Sequence, residues 1–387
     1  MQLRLSFISA TLLGAMALQA QDYVAVSYLQ YNEFDDRTNV SAPSIMVNKD
    51  FGTDYTLNAS FVVDVVSGAS QTFYNSSYDG ESSASIDSSS SASVFSRGDV
   101  DEADLEYGNV EYSDQRVAGS VLFTSRFANR DELTLGVSHS AESDFYSTDG
   151  SVEYMHYLDS SKNSSVSFGA SYQSNEILKR CSDVDGCSGA SESKDASAIN
   201  MQLGFSQNID ATSNAKITLF SSIDDGYLDN PYLNIVRNYE DGSGEIVNEH
   251  RPDSKTAYGV ALHYAKAFND TFTLQLGYRF YDDDWDISSH TLNLDLYTEL
   301  GDYTIHTGLR EYLQSEAYFY NGSIDYFTTQ EFASSDKRLS DFNTQTYQLG
   351  VEYDLSDEIS LNLEGSFYTQ STGLDAIFFT TGLRYNF

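Results

Sequence analysis

Apolar and polar residues alternate along most of this chain in stretches of about ten, and the stretches come in pairs joined by short turns. The clearest pair is Tyr258–Lys266 and Phe272–Tyr281. On the first, Tyr258, Val260, Leu262 and Tyr264 share one face, and Gly259, Ala261, His263 and Ala265 share the other. On the second, Phe272, Leu274, Leu276, Tyr278 and Phe280 stand opposite Thr273, Gln275, Gly277 and Arg279. A period of two is the period of a strand, and Ala267–Asp270 is the tight turn between these two. The same pattern pairs Val117–Phe127 with Leu133–His139, and Val152–Leu158 with Val166–Tyr172. It pairs Asn200–Ile209 with Ala215–Ile223, His290–Thr298 with Tyr303–Tyr312, and Tyr347–Leu355 with Ile359–Tyr368. Tyr23–Tyr31, Tyr55–Val66 and Ile377–Phe387 are further strands. Asn39–Asn48 is a weaker one, because Pro43 cannot donate to a ladder in mid-strand.

Aromatic residues at the strand ends with Leu between them describe two interfacial girdles around a hydrocarbon band. After the amino-terminal segment, no run approaches the ~20 apolar residues that a spanning helix needs. A chain of this kind crosses a membrane only as a closed barrel, which satisfies its own backbone in lipid. The fold class is therefore all-β: a transmembrane antiparallel β-barrel. With both termini in the periplasm the strand number is even. Counting Asn39–Asn48 gives about 16 strands, with 14 as the alternative. Short turns belong on the periplasmic side and long connections outside, the latter at 67–115, 174–196, 224–253 and 314–344. Residues 1–20 read as a signal peptide: Arg4, the apolar run Leu5–Leu18, and small residues at Ala15, Ala17 and Ala20. Residues 21–387 are expected to form one domain, without the plug that an energy-coupled transporter carries ahead of its barrel.

The final stretch IFFTTGLRYNF, Ile377–Phe387, resembles the closing strand of bacterial outer-membrane barrels. That resemblance implies that Leu383, Tyr385 and Phe387 form the signal read by the barrel assembly machinery. Other blocks resemble one Gram-negative outer-membrane family known by a domain-of-unknown-function name. They are RPDSK (Arg251–Lys255), YRFYDDDWDISSHT (Tyr278–Thr291) and LREYLQSEAYFY (Leu309–Tyr320), with DVVSGAS (Asp64–Ser70) and GYLDNPY (Gly226–Tyr232). The resemblance spans nearly the whole mature chain. It implies an outer-membrane barrel in the cell outer membrane and brings no activity with it.

Composition agrees with this reading: 14% of residues are aromatic, with 29 Tyr and 23 Phe against one Trp and three Pro, which suits strands and girdles. A net charge of −37 excludes a nucleic-acid partner, since phosphate would be repelled. The expected partners are outer-membrane lipid and lipopolysaccharide, with a periplasmic protein or lipoprotein as a further candidate. Cys181 and Cys187 sit in a polar loop of an exported chain and read as a small disulfide-closed loop. With no His nearby they make a poor metal site, and no cofactor is expected. The Ser-rich stretch Ser82–Ser96 and the acidic Asp99–Glu106 read as solvated loop.

Two constellations carry candidate chemistry. Asp282, Asp283, Asp284 and Asp286, with His290, cluster where one strand leaves the membrane and the next returns. Such a rim suits hard cations, including those that bridge lipopolysaccharide, but it departs from the calcium-hand pattern at Ile287 and Asn293. A solvated acidic edge is the plainer reading, with Trp285 as an interfacial anchor. The second constellation is lumenal by alternation: Arg279, Arg310, His306, Asp295, Glu352, Glu364 and Arg384. Charges there either line a pore and select by sign or pair with one another inside a filled barrel. His306 with Asp295 is the best base–carboxylate pair, yet no nucleophile motif accompanies it. Three functions follow in order: a pore for small hydrophilic solutes, a scaffold for a lipoprotein or other partner, and a barrel enzyme acting on lipid or peptide.

Overall fold

The computed structural model describes residues 22–35, 37–75, 98–100, 105–180, 191–238, 244–322, 326–327 and 329–387. The signal segment 1–20, the Ser-rich stretch Ser82–Ser96, Cys181 and Cys187 lie outside the described residues. The strands are β1 (Tyr23–Glu33), β2 (Asn39–Phe51), β3 (Tyr55–Asn75), β4 (Gly98–Val100), β5 (Leu105–Arg126), β6 (Glu132–Ala141), β7 (Phe145–Tyr157), β8 (Ser164–Arg180), β9 (Ser191–Asp210) and β10 (Ser213–Gly226). They continue as β11 (Asn234–Asn238), β12 (Gly244–Asn248), β13 (Ser254–Ala267), β14 (Phe272–Asp283), β15 (Ser288–Leu300), β16 (Tyr303–Gln314), β17 (Tyr326–Phe327), β18 (Phe342–Asp354), β19 (Ile359–Gln370) and β20 (Leu374–Asn386). All but β4, β11, β12 and β17 join in chain order into one closed antiparallel barrel of 16 strands. Those four form a small separate sheet in the order β17-β11-β12-β4. Among the described residues no helix is long and apolar enough to cross a membrane.

The barrel closes where β1 meets β20, from Tyr23 opposite Asn386 to Glu33 opposite Ala376. The Phe387 N–H donates to the Asp22 carbonyl at 2.9 Å, so the ladder runs to the last residue. The doubtful strand is real: β2 pairs with β1 throughout, with Pro43 opposite Tyr28. Toward β3 the ladder runs to Ser41 opposite Val65 and resumes at Ser44 opposite Val62. The gap holds Pro43 without shifting the register, which is how a strand tolerates a missing donor.

Two hairpins run past the loop boundaries that hydropathy gives. β3 and β5 stay paired as far as Asn75 opposite Leu105, although β5 leaves β6 at Val117. β8 and β9 stay paired as far as Arg180 opposite Ser191. Ladder hydrogen bonds need no apolar face, so pairing continues after the alternation of a lipid-facing strand has stopped. The described residues of the connections expected at 67–115 and 174–196 are therefore all strand. Those at 224–253 and 314–344 contain β11, β12, β17 and a short 3₁₀ turn at Lys337–Leu339.

Outward residues match the alternation. Phe272, Leu276 and Tyr278 on β14 are exposed, as are Leu292, Leu294 and Leu296 on β15. Phe51, Tyr55, Phe127, Phe268, Tyr303 and Phe387 gather at the short-turn end as an exposed aromatic girdle. Leu383 and Tyr385 face outward beside Phe387, whose ring lies 4.9 Å below the Lys49 ammonium. Leu276→Arg is expected to destabilise the inserted barrel by roughly 2–4 kcal/mol, because it places a cation in the apolar band. Gln275→Arg, one position away and opposite Asp295, is expected to cost far less. Denaturant titration of the two variants in lipid vesicles measures the difference, and equal losses would reverse the register assigned to β14.

Candidate functional site

The outer end of the barrel is organised by turns that bend inward. At the β14–β15 turn, the Asp283 carboxylate accepts from the Trp285 and Ile287 backbone N–H groups, both at 3.0 Å, and from the Tyr281 hydroxyl at 2.6 Å. Asp286 closes the turn in the left-handed region at φ 66°. The result is that Trp285 points into the barrel mouth and not to the membrane interface. It is buried with Ile287, Ala317, Phe319 and Leu339. Its ring meets Phe319 edge-on at 5.1 Å, and its indole N–H donates to the Ser254 carbonyl at 2.9 Å.

The same geometry separates the four carboxylates expected to form a rim. Asp283 is buried in its own turn. Asp284 accepts from the Thr256 N–H at 3.0 Å, and Asp282 accepts from the Tyr258 hydroxyl. Asp286 is exposed, and His290 faces outward against Tyr278, 2.8 Å from its hydroxyl. The carboxylates serve as turn and strand fasteners and do not converge on a common point.

Behind Trp285 lies a charged cluster absent from the sequence reading. Arg251 bridges Glu249 (2.6 Å) and Asp336 (2.8 Å). Arg338 grips the same Asp336 through its Nε at 2.9 and 3.0 Å and through Nη2 at 2.5 Å. Glu249 also accepts from the Asn230 N–H at 2.7 Å and from the Ser334 hydroxyl. Burial raises the Glu249 carboxyl above its ordinary range, against the pull of Arg251. Burial would raise Asp336 as well, but the Arg338 and Arg251 guanidiniums outweigh it and hold that carboxyl below its ordinary range. Gln314 then donates to the Arg338 and Ser340 carbonyls at 2.9 and 2.7 Å, tying the connection after β16 to the top of that strand. The blocks GYLDNPY, RPDSK, YRFYDDDWDISSHT and LREYLQSEAYFY meet here. They supply Asn230, Arg251, Trp285 and Phe319 respectively.

Below this cap is a cavity of about 860 Å³. Strand residues such as Glu153, Gln202, Phe220, Arg279, Tyr281 and Tyr312 line its wall, and Arg251, Asp336 and Arg338 reach it from the cap. The Arg279 guanidinium lies over the Phe220 ring at 4.6 Å and over the Tyr281 ring at 5.4 Å. Arg310 is exposed to the lumen one upward strand further on, close enough for the two cations to repel. Neither arginine is ion-paired with a described residue. Lysine is treated differently: Lys255 pairs with Asp224 at 3.3 Å and covers Trp285 at 5.2 Å.

Nearer the short-turn end, His306 is held between two carboxylates. Its Nε2 is 2.9 Å from Asp295 and its Nδ1 3.4 Å from Glu364, with the Tyr297 ring stacked at 4.7 Å. Both ring nitrogens are occupied by carboxylates, so this histidine holds no hydroxyl or thiol in position to act as a nucleophile. Glu352 lies between Thr304 and Asn362 on the neighbouring strands and makes no ion pair with a described residue. Arg384 sits at the barrel closure over the Tyr23 ring at 4.6 Å. Alternation grouped these residues as one lumenal set; the structure joins His306, Asp295 and Glu364 and leaves the two arginines apart from them. It missed Glu249, Asp336, Arg338 and Phe220. Only the last carried a usable signal, a lumen-facing aromatic opposite a glycine, Gly259.

Asp336→Asn removes the anion shared by the buried Arg251 guanidinium and the more exposed Arg338 guanidinium, and losing one partner of a buried pair costs about 3–5 kcal/mol. The segment after β16 is expected to loosen, read as faster hydrogen exchange at the Ala317 N–H, which donates to the Leu339 carbonyl at 2.8 Å. The carboxyl stands below its ordinary value, so its contribution is present at neutral pH and falls away as pH drops through that lowered value. Unchanged exchange in the variant would mean that the apolar packing on Trp285 alone holds the cap.

Comparison with solved structures finds barrels. A mutant of the ferric enterobactin receptor PfeA from Pseudomonas aeruginosa is similar at 12% identity and TM-score 0.45, over 91% of this chain and 54% of that one. The siderophore receptor PirA from Acinetobacter baumannii is similar at 11% identity and TM-score 0.44, over 90% and 53%. OprB from Pseudomonas putida is similar at 8% identity and TM-score 0.45, over 100% and 98%. The chain spans about half the length of the two receptors. None of the curated proteins matches it in sequence. The family model described as "Protein of unknown function (DUF3570)" matches residues 5–377, and the chain belongs to that family.

Proposed function

We propose that this protein is an outer-membrane pore for small hydrophilic solutes, narrowed from outside by its own inward-bent connections and biased toward anions by Arg279 and Arg310. The observation that carries this reading is a lumenal cavity of about 860 Å³, lined by both polar and apolar side chains, whose wall holds a guanidinium with no carboxylate partner among the described residues. A barrel of sixteen strands is wide enough for an aqueous channel. Two other cations of the lumen and mouth are held by carboxylates, His306 by Asp295 and Glu364 and Lys255 by Asp224. An unpaired arginine pair in such surroundings sets the local potential that a passing ion meets. The apolar outer band and aromatic girdle support placement in the outer membrane. With both nitrogens of His306 occupied by carboxylates, the best base–carboxylate pair of the enzyme reading has no nucleophile beside it.

A second reading has its own support. The Glu249–Arg251–Asp336–Arg338 cluster, buried at all but Arg338, fastens the cap firmly enough to suit a closed scaffold. Conductance separates the two. Purified protein in planar bilayers is expected to conduct, and replacing both Arg279 and Arg310 by Ala is expected to shift the reversal potential in a salt gradient toward cations. Absence of conductance above background would favour the scaffold. Conductance with an unmoved reversal potential would remove the two arginines from the selectivity of the pore.

A further inference from the structure

Four upward strands repeat one lumenal device. The Tyr281 hydroxyl donates to Asp283 at 2.6 Å, Tyr312 to Gln314 at 2.7 Å, Tyr368 to Gln370 at 2.5 Å and Tyr31 to Glu33 at 2.6 Å. In each case the acceptor is two residues nearer the outer end of the same strand. The register links them. Tyr281 faces Ser289, which faces Gln314; Tyr312 faces Thr344, which faces Gln370; Tyr368 faces Ala376, which faces Glu33. Each tyrosine is therefore displaced two residues from its predecessor for every two strands crossed. Tilted strands with staggered register produce such a displacement between residues at one height, so the four rings form a collar along one side of the lumen, over seven neighbouring strands of the sixteen.

The collar has a definite chemistry. Each phenol gives its proton to a fixed acceptor, so the rings present apolar faces and no free donor to a solute. The donors at this level are the guanidiniums two residues below, Arg279 under Tyr281 and Arg310 under Tyr312. Arg279 is also built into place. Phe220 stands opposite Gly259, which stands opposite Tyr281. A Cβ on Gly259 would fall 2.3 Å from the Phe220 ring. Only the missing side chain lets that ring lie across β13 and support the guanidinium at 4.6 Å. A guanidinium resting flat on an aromatic face keeps its N–H edges free for a two-point contact with a carboxylate. Tyr281 and Tyr312 line the same cavity, whose size falls in the range of small-molecule sites.

We propose that Arg279 and the tyrosine collar form a binding site for small aromatic carboxylates, with the carboxylate on the edge of the guanidinium and the ring against Tyr281 and Tyr312. This names a solute class for the pore proposed above and rests on that reading for its transport role, though the site itself can be tested by binding alone.

The test is calorimetric titration of the purified, folded barrel in detergent with benzoate, acetate and benzyl alcohol. Benzoate is expected to bind saturably, and acetate and benzyl alcohol at least about tenfold more weakly, since each lacks one of the two recognised features. Arg279→Gln is expected to lower benzoate affinity at least about tenfold. Tyr312→Leu is expected to narrow the gap between benzoate and acetate while leaving acetate unchanged. Phe220→Leu keeps the charge and removes the ring under the guanidinium, so it is expected to weaken benzoate as well. If any variant loses heat-modifiability, and so has not folded, the three-ligand comparison on the natural sequence still decides. Absence of benzoate binding, or equal affinity for benzoate and either reference compound, overturns the proposal. Benzoate binding without conductance in the bilayer experiment would overturn the pore and leave the site.

Discussion

Everything in this molecule depends on one requirement: a backbone that lies in lipid must pair every N–H and C=O with another part of the same chain. The β1–β20 seam meets it, because without that seam sixteen strands would leave two bare edges in the hydrocarbon. The requirement then dictates the rest. Closure forces tilt and stagger. Stagger brings residues from strands far apart in sequence to one height, and that is how Tyr31 comes to share a level with Tyr281. Alternation sends every second residue inward, so the lumen is assembled from positions that are scattered along the sequence.

The lumen poses the opposite problem. Water can solvate it, and charges can remain, but each one sets a local field that its neighbours must answer. The structure answers differently at different depths. Near the short-turn end, one histidine is shared by two carboxylates. At the mouth, two arginines share one buried aspartate, an arrangement in which removing either sign is more costly than removing both. Between them, Arg279 is answered by ring faces alone. Aromatic quadrupoles attract a cation without neutralising it, so this guanidinium keeps its net charge where the others do not. A protein of net charge −37 therefore holds an unneutralised positive point on the wall of its lumenal cavity.

Strand existence and facing were legible because lipid imposes a strict alternation, and Tyr258–Lys266 with Phe272–Tyr281 displays it without interruption. Even Asn39–Asn48, weakened by Pro43, followed from the need for an even count. Strand length was less legible. The outer halves of β3 and β5 are held by ladder bonds and carry no hydropathic signature once they leave the membrane. The mouth was least legible. Asp282 to Asp286 read as an exposed acidic edge because sequence proximity suggests shared surroundings. In the structure Asp283 turns inward to organise its own loop, and Trp285 follows it. The partners of Arg251 lie two residues away at Glu249 and eighty-five away at Asp336, and no periodicity connects them.

The tyrosine collar shows why local rules can still specify a distributed site. Each of its units is a short pattern on a single strand: a ring, and an acceptor two residues further out. Nothing in Tyr368 or Gln370 refers to Tyr281. The barrel supplies the relation, since a constant displacement of two residues per strand pair turns four independent local choices into one level arc. Only two of the four units carry an arginine below the tyrosine; Ser366 and Leu29 occupy the equivalent places under Tyr368 and Tyr31. The collar is therefore symmetric in its rings and one-sided in its charge. The charge thus stands at one end of an aromatic arc, and that asymmetry is set by the two sequence positions Arg279 and Arg310.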